Sequence, residues 1–268
     1  MKILGVIGIG NMGGAIVQGV LDAGFITPDH LVIYDTNPKK TDNILRDHPG
    51  VMCVESDIRV AEMSDLVLLA VKPVYLREVL NKIKPALNRK GIISIAAGWT
   101  LRMLANELRG MDTTVLRAMP NTPALVGEGM TAICDESDFN QEDFDFAKGI
   151  FDSVGRTVVL PERLFDGAIA ISGSSPAYIF MLIDAMADGG VREGIPRKLA
   201  IEMAAQSVLG SALMVLNTGS HPDELKDAVC SPAGTTIEAV TKLEERGFRA
   251  AILDAMDACA EKSRDMSR

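Results

Sequence analysis

Three glycines stand at the spacing G-x-G-x-x-G near the start of the chain, after the short β-branched run 3–7. In a strand-turn-helix unit the first glycine permits the tight turn, the second lets the backbone approach a pyrophosphate, and the third lets the helix pack closely. The free N–H groups of that helix favour an anion. A purely structural turn is the alternative. The stretch predicts a dinucleotide site with contacts from Gly8, Ile9, Gly10, Asn11, Met12 and Gly13.

A second apolar run, 31–34, ends in Asp35. An acid at this place accepts hydrogen bonds from the adenosine ribose. It would repel a 2′-phosphate, since two such charges about 4 Å apart cost of order 4 kcal/mol at an effective dielectric near 20. Asp35 therefore favours NADH, whereas Lys39 and Lys40 favour NADPH because either could reach a phosphate. The choice between the two cofactors stays open, with a slight lean to NADH.

The run 65–71 has the pattern of a buried strand, and Lys72-Pro73 ends it abruptly. Because open α/β sheets bind ligands at the carboxyl ends of their strands, Pro73 turns the chain at the crevice and aims Lys72 at the ribose or the substrate. A solvent-exposed lysine is the alternative. Small residues after the next strand leave room for a nicotinamide. Further cofactor contacts are expected at Asp57, Ala70, Val71, Pro73, Ala96 and Ala97.

Three hydroxyl residues lie around the start of a helix late in the chain, at Ser231, Thr235 and Thr236. They can cap that helix. Together with free N–H groups and a positive dipole end they also form a carboxylate receptor, which is the favoured interpretation. The loop 119–123, with two prolines around two polar residues, is either a rigid turn or a border of the crevice.

The sequence contains no motif that is typical of a catalytic proton donor or of a metal site. There are three histidines, and no His, Asp, Glu or Cys cluster has the spacing of a metal site. A nicotinamide enzyme that reduces a ketone usually needs a proton donor for the nascent alkoxide. A protonated imine needs none, because hydride addition yields a neutral amine. The sequence therefore favours imine chemistry without a metal.

Composition excludes several classes of protein. The hydrophobic content of 47% indicates a globular chain, and the net charge of −9 disfavours nucleic-acid and anionic-membrane binding. Four widely spaced cysteines predict reduced thiols in a cytoplasmic protein. The first strand begins almost at once, which leaves no room for a signal peptide. No apolar run appears long enough to span a bilayer.

Strand-like and helix-like segments alternate over the first part of the chain, which predicts an α/β fold with a Rossmann-like, doubly wound parallel sheet. Only helical segments follow Arg163. We therefore predict a dinucleotide-binding domain over residues 1–161 and an all-helical dimerisation and substrate domain over residues 162–268. The helix 200–216 is apolar on most of its circumference, so part of its burial is expected from a second subunit. The centre of a monomeric bundle is the alternative.

With these residues in hand, the chain closely resembles the pyrroline-5-carboxylate reductase family over its whole length. The resemblance is carried by RAMPNTPA at 117–124, SGSSPAY at 172–178, DAMADG at 184–189 and LKDAVCSPAGTTIEA at 225–239. It implies NAD(P)H-dependent reduction of 1-pyrroline-5-carboxylate to L-proline, the last step of proline biosynthesis, by hydride transfer to the imine carbon. It also implies a homodimer through the C-terminal helices, with dimers assembling into rings such as a decamer.

The resemblance also implies roles for single residues. The turn 231–236 faces a nicotinamide held by the other domain, and Thr236 offers its hydroxyl to the ring nitrogen. Lys72, from its place at the end of the run 65–71, is the second catalytic candidate. The family commonly has glycine where this chain has Ala233, so a positive φ there would be strained. The expected substrate contacts are Ser231, Ala233, Gly234, Thr235 and Thr236.

Two other functions share features with this sequence. A β-hydroxyacid dehydrogenase has the same two-domain layout, but it carries a lysine early in the second domain, and the segment 173–184 contains no lysine or arginine. A dinucleotide sensor or scaffold without turnover is disfavoured by the intact glycine loop and the intact hydroxyls of the late turn.

Overall fold

A computed structural model describes residues 2–267. Within them, the strands are β1 (Leu4–Ile7), β2 (Leu31–Tyr34), β3 (Met52–Cys53), β4 (Leu66–Leu69), β5 (Lys90–Ser94), β6 (Thr113–Met119), β7 (Gly129–Cys134) and β8 (Gly155–Leu160). The α-helices are α1 (Asn11–Asp22), α2 (Asp42–Asp47), α3 (Asp57–Met63), α4 (Pro73–Ile83), α5 (Leu101–Glu107), α6 (Gln141–Asp152), α7 (Phe165–Ala168), α8 (Ser175–Arg192), α9 (Arg197–Thr218), α10 (Pro222–Val229), α11 (Thr235–Glu245) and α12 (Phe248–Met266).

The chain forms two compact units. One contains the residues up to Ser174 together with those from Cys259 onward, and the other is Ser175–Ala258. The domain boundary expected between residues 161 and 162 stays a prediction, and the compact units divide later along the chain. In the first unit a π-helical turn, Ile169–Gly173, connects α7 to the bend at Ser174.

The first unit is built on one sheet with the strand order β3-β2-β1-β4-β5-β6-β7-β8. Alternate residues of its central strands enter opposite apolar cores. Leu4 and Val6 pack with Ile16 of α1, whereas Ile7 packs with Leu76 and Leu80 of α4. Both faces of the sheet are therefore covered, and the predicted Rossmann-like, doubly wound class is confirmed.

The last two strands reverse direction. The sheet is parallel through β6, but β7 pairs antiparallel with β6, and β8 is parallel to β7. The connection from β6 to β7 contains only the short 3-10 turn Thr122–Val126. A parallel crossover needs about a dozen residues or more, usually with a helix. The sheet predicted as parallel is consequently mixed.

Two helix starts lie near the crevice. The segment Pro38–Lys40, which carries both lysines, forms a 3-10 turn that is followed by α2. The cap of α3 is Ser56, whose Oγ accepts from the Arg59 N–H at 3.4 Å, so Asp57 is the first helical residue rather than the cap.

The four cysteines are free, as the reduced thiols of the sequence prediction require. Burial raises the pKa of the Cys134 thiol to about 11. Because the thiolate is the reactive form, Cys134 is chemically inert near neutral pH.

The expectation that no apolar run could span a bilayer was wrong. Two helical stretches, Glu162–Arg192 and Arg197–Thr218, are long and apolar enough to do so by length and composition alone. Polar residues such as Gln206 and Ser207 interrupt the apolar runs without lowering the mean hydropathy of the helices enough to exclude them. Apolar helices that are buried inside a protein pass the same test, so the burial of these two helices decides how they are interpreted.

Within the single chain little covers them. In α9, Ala200 and Ala204 are buried, whereas Met203, Leu213 and Met214 are exposed. The alternative of a helix at the centre of a monomeric bundle is therefore wrong.

Candidate active site

A crevice of about 690 Å³ opens at the carboxyl ends of β1, β4 and β5. Ile9 and Gly13 are not among its lining residues, because Ile9 packs in the core and Gly13 packs against the turn. Asp57 lines a smaller adjoining pocket of about 260 Å³ that also includes Asp35 and Thr36. The predicted cofactor residues that line the crevice are Gly8, Gly10, Asn11, Met12, Asp35, Ala70, Val71, Lys72, Pro73, Ala96 and Ala97.

The three glycines of the loop are needed for different structural reasons. Gly8 has a φ of +97°, and a Cβ there would lie 2.8 Å from the carbonyl oxygen of Ala70. A Cβ on Gly13 would collide with the carbonyl oxygen of Gly8, whereas a Cβ on Gly10 would meet nothing within 4 Å. The first and third glycines are thus required by the fold, and the second leaves open space against the backbone.

That open space lies at the start of α1. Gly10 is the N-cap, and no side chain caps the helix. The first N–H groups of a helix lack intrahelical partners and attract anions. The residues present therefore fit the pyrophosphate of a dinucleotide.

Asp35 is held by the loops around it. Its Oδ2 accepts from the Ile9 N–H at 2.8 Å and from the Lys40 ammonium at 3.1 Å, while Oδ1 accepts from the Asn37 N–H at 2.8 Å. The side chain is 5% exposed. The carboxylate therefore ties the glycine loop to the loop after β2, in addition to facing the crevice.

Lys72 and Pro73 mark the start of α4, as N-cap and first residue. Lys72 is exposed and lines the crevice. The Trp99 indole N–H donates to the Pro73 carbonyl at 3.2 Å and thereby ties the segment after β5 to this helix start. Tyr75, which is not among the predicted cofactor residues, also lines the crevice. Its place in the first turn of α4, two residues after Pro73, could have indicated this.

The proline-bracketed loop does border the crevice, through Pro120. Its neighbour Asn121 is buried, donates to the Ser172 carbonyl at 2.9 Å and accepts from the Met130 N–H at 2.8 Å. The sequence left open whether this loop is a rigid turn or a border, and it is both.

Arg117, which the sequence marks only as part of the motif 117–124, is buried. Arg117 of β6 donates to Glu162 Oε1 at 2.8 Å, and its guanidinium lies over the ring of Phe165 at 4.6 Å. The same Glu162 oxygen accepts from the Leu101 N–H at 2.7 Å. Because the guanidinium sits between elements distant in sequence, spacing alone gave no signal.

The late turn belongs to the second unit. Gly234 is the N-cap of α11, and its N–H donates to the Ser231 carbonyl at 3.0 Å. No side chain caps this helix, so neither Thr235 nor Thr236 does so here. A Cβ on Gly234 would collide with Ser231 Oγ. The turn therefore presents hydroxyls and uncapped N–H groups, which is what a carboxylate receptor requires.

Ala233 has a φ of +55°. The strain expected for alanine in place of glycine is thus present, since the left-handed region costs an L residue about 1–2 kcal/mol.

We expect Ala233→Gly to raise the free energy of unfolding by about 0.5–1 kcal/mol, because relief of strain exceeds the added freedom of the unfolded chain. Urea unfolding at fixed protein concentration measures it. Ala239→Gly, inside α11, is the matched control and should lose about 1 kcal/mol. Equal losses in both variants would show that the turn tolerates alanine without strain.

Within residues 2–267, no three His, Cys, Asp or Glu side chains are grouped so as to hold a metal ion.

Comparison with known proteins matches two segments of the chain to protein families and the whole chain to single relatives. Residues 3–98 match the family described as NADP oxidoreductase coenzyme F420-dependent, and residues 162–266 match the family described as pyrroline-5-carboxylate reductase dimerisation. The chain is 47% identical to pyrroline-5-carboxylate reductase of Escherichia coli K12 over 268 residues, covering 100% of this chain and 99% of the relative. It is 43% identical to that of Methanosarcina acetivorans, covering 99% and 98%.

Solved structures agree with these relatives. The crystal structure of Plasmodium falciparum pyrroline carboxylate reductase with NADP bound superposes with a TM-score of 0.90 at 34% identity, covering 100% of this chain and 98% of that one. Identity at this level over the full length of both chains shows common descent rather than a shared fold alone. The chain belongs to the pyrroline-5-carboxylate reductase family.

Proposed function

We propose that this chain reduces 1-pyrroline-5-carboxylate to L-proline with a reduced nicotinamide dinucleotide. The observation that carries the proposal is the pair of uncapped helix starts. The crevice contains that of α1, and the turn 231–236 contains that of α11. One is suited to a pyrophosphate and the other to a carboxylate, and the reaction needs both.

The reaction does not require a strong proton donor from the protein. A reduced nicotinamide supplies hydride, which adds to the imine carbon, and the electrons of the C=N bond become the lone pair of the amine. If the imine is protonated beforehand, no further proton is needed. The protein then contributes orientation and electrostatics.

Roles follow for the residues of the turn. The uncapped N–H groups of α11 and the Ser231 and Thr235 hydroxyls bind the substrate carboxylate. Thr236, half-buried in the first turn of the helix, hydrogen-bonds the ring nitrogen. Lys72 contacts the cofactor or the substrate from the crevice.

The direct test is oxidation of NADPH or NADH on addition of 1-pyrroline-5-carboxylate, with proline measured as product. A folded sample that binds the dinucleotide but turns over neither cofactor would exclude the reaction.

On the cofactor, the match of residues 3–98 to an NADP oxidoreductase family supports NADP(H) binding. The lean to NADH depended on repulsion between the Asp35 carboxylate and a 2′-phosphate, and the Lys40 ammonium lies 3.1 Å from that carboxylate, where it offsets the repulsion. We therefore propose that NADPH is accepted alongside NADH, with cytoplasmic location as a further proposal supported by the free thiols.

We further propose a homodimer built from the C-terminal helices. The residues matched by the dimerisation family include α8 and α9, whose apolar side chains are largely exposed in the single chain. A second copy would cover these faces, and covered helices need no membrane. Assembly of dimers into a larger ring, such as a decamer, remains part of the same proposal.

We expect Leu213→Glu, at a side chain 43% exposed in α9, to weaken the dimer by about a hundredfold or more. An unpaired charge buried at an interface costs about 3–5 kcal/mol. Analytical ultracentrifugation over a concentration series measures the change. Val126→Glu, at an apolar side chain that is exposed but outside residues 162–266, is the control. An assembly unaffected by Leu213→Glu would place the interface elsewhere.

A further inference from the structure

The loop after β2 contains two adjacent lysines that the sequence could not tell apart. Lys40 lines the crevice, and its ammonium lies 3.1 Å from Asp35 Oδ2. Lys39 is exposed and is not among the lining residues. The structure therefore assigns only Lys40 to the cofactor crevice.

The contacts of Asp35 limit what it can offer a ribose. A carboxylate has about four acceptor sites. Three are used by the Ile9 N–H, the Asn37 N–H and the Lys40 ammonium. One backbone contact holds the glycine loop and the other holds the loop after β2, so both belong to the fold of the crevice rather than to one dinucleotide. Asp35 is thus mainly a positioning residue for these two loops.

The Lys40 contact is different in kind. Its side chain is 45% exposed, and an ammonium carries three N–H donors, of which Asp35 uses one. A phosphate at the rim formed by Thr36 and Lys40 would meet a cation beside the anion. At similar distances the attraction of one offsets the repulsion of the other.

Resting on the function proposed above, we propose that Lys40 sets the choice between NADPH and NADH. Without a 2′-phosphate its ammonium pairs with Asp35. With NADPH bound, it also donates to the 2′-phosphate and compensates the carboxylate. NADH gains nothing from this contact, so Lys40 raises affinity for NADPH alone.

The test compares Lys40→Gln with the matched variant Lys39→Gln. A charge-assisted hydrogen bond contributes about tenfold to a hundredfold in affinity. We expect Lys40→Gln to lower kcat/KM for NADPH by that factor and to change kcat/KM for NADH by less than about threefold. Lys39→Gln should leave the NADPH/NADH ratio unchanged. Equal losses with both cofactors would overturn the proposal, since Lys40 would then only support the loop.

Binding measured without turnover separates this proposal from the reaction itself. Calorimetry with 2′,5′-ADP and 5′-ADP should show that Lys40→Gln weakens only the first. If Lys40→Gln binds 2′,5′-ADP as tightly as the wild type does, the proposal is wrong, even where proline is formed. If the selective loss appears but no proline is made, the specificity assignment stands and the proposed reaction fails.

A second variant changes the acidic member of the Asp35–Lys40 ion pair. Asp35→Asn keeps one carbonyl acceptor for the loop and removes the charge that opposes the phosphate. We expect the NADPH/NADH ratio of kcat/KM to rise about tenfold. A ratio that falls or stays constant would contradict the opposition of Asp35 and Lys40.

Discussion

The Gly10→Ala variant is expected to bind NADPH and NADH about a hundredfold more weakly while it unfolds at the same urea concentration as the wild type. A methyl group there meets no protein atom within 4 Å, and Gly10 has φ −79° and ψ −165°, which alanine adopts freely. The added Cβ therefore costs the fold little. It stands where the backbone must approach the pyrophosphate, so the whole loss falls on cofactor binding.

Two neighbouring glycines provide the controls for this measurement. Gly14→Ala places a Cβ 3.9 Å from an Ile9 methyl, inside α1 and away from the crevice lining. It should retain cofactor affinity and gain up to about 1 kcal/mol from helix propensity. Gly13→Ala would collide with the Gly8 carbonyl and should be destabilised. Wild-type affinity in Gly10→Ala would exclude a pyrophosphate at this turn.

Thr236→Val is expected to lower kcat by about a hundredfold and to leave NADPH affinity unchanged. Valine keeps the shape of threonine and removes the hydroxyl, which is proposed to orient the ring nitrogen and the developing lone pair. Loss of one such preorganised hydrogen bond costs about 10²–10³ in kcat. Steady-state kinetics and a separate cofactor titration measure the two effects.

Rescue and a matched position make this test selective. Thr236→Ser restores the hydroxyl and should recover most of the rate. Thr241→Val, on the same helix, removes a hydroxyl that donates to the Ile237 carbonyl at 2.9 Å and should leave kcat near the wild-type value. An unchanged kcat in Thr236→Val would remove this hydroxyl from the mechanism.

The order of strands and helices in the first unit follows from local patterns. The strands predicted from the apolar runs 3–7, 31–34 and 65–71 are present as β1, β2 and β4. These runs are informative because a strand buried on both faces must be apolar at consecutive positions. The reversed direction of β7 follows from the short connection before it, a feature that apolar patterns do not record.

In the candidate site, too, some features could be predicted from the sequence and others could not. Glycine spacing located the crevice, because backbone sterics are a local property. Gly13 is required by the carbonyl of Gly8, Gly8 is required by the backbone just after the adjacent strand, and Gly10 leaves open space between them. The hydrogen-bond partners of Asp35 could not be predicted from the sequence, because its carboxylate joins the Ile9 N–H, 26 residues earlier, to the Lys40 ammonium.

By itself the sequence determined the dinucleotide-binding unit, the helical second part, the family and the hydroxyl-rich turn. All of these depend on periodicity, glycine positions and motifs contiguous along the chain. Tertiary structure alone decided that α11 lacks a side-chain cap, that Ala233 is strained at φ +55° and that Lys40 rather than Lys39 lines the crevice. The physical reason is that side-chain direction and hydrogen-bond partners are set by packing between segments remote in sequence.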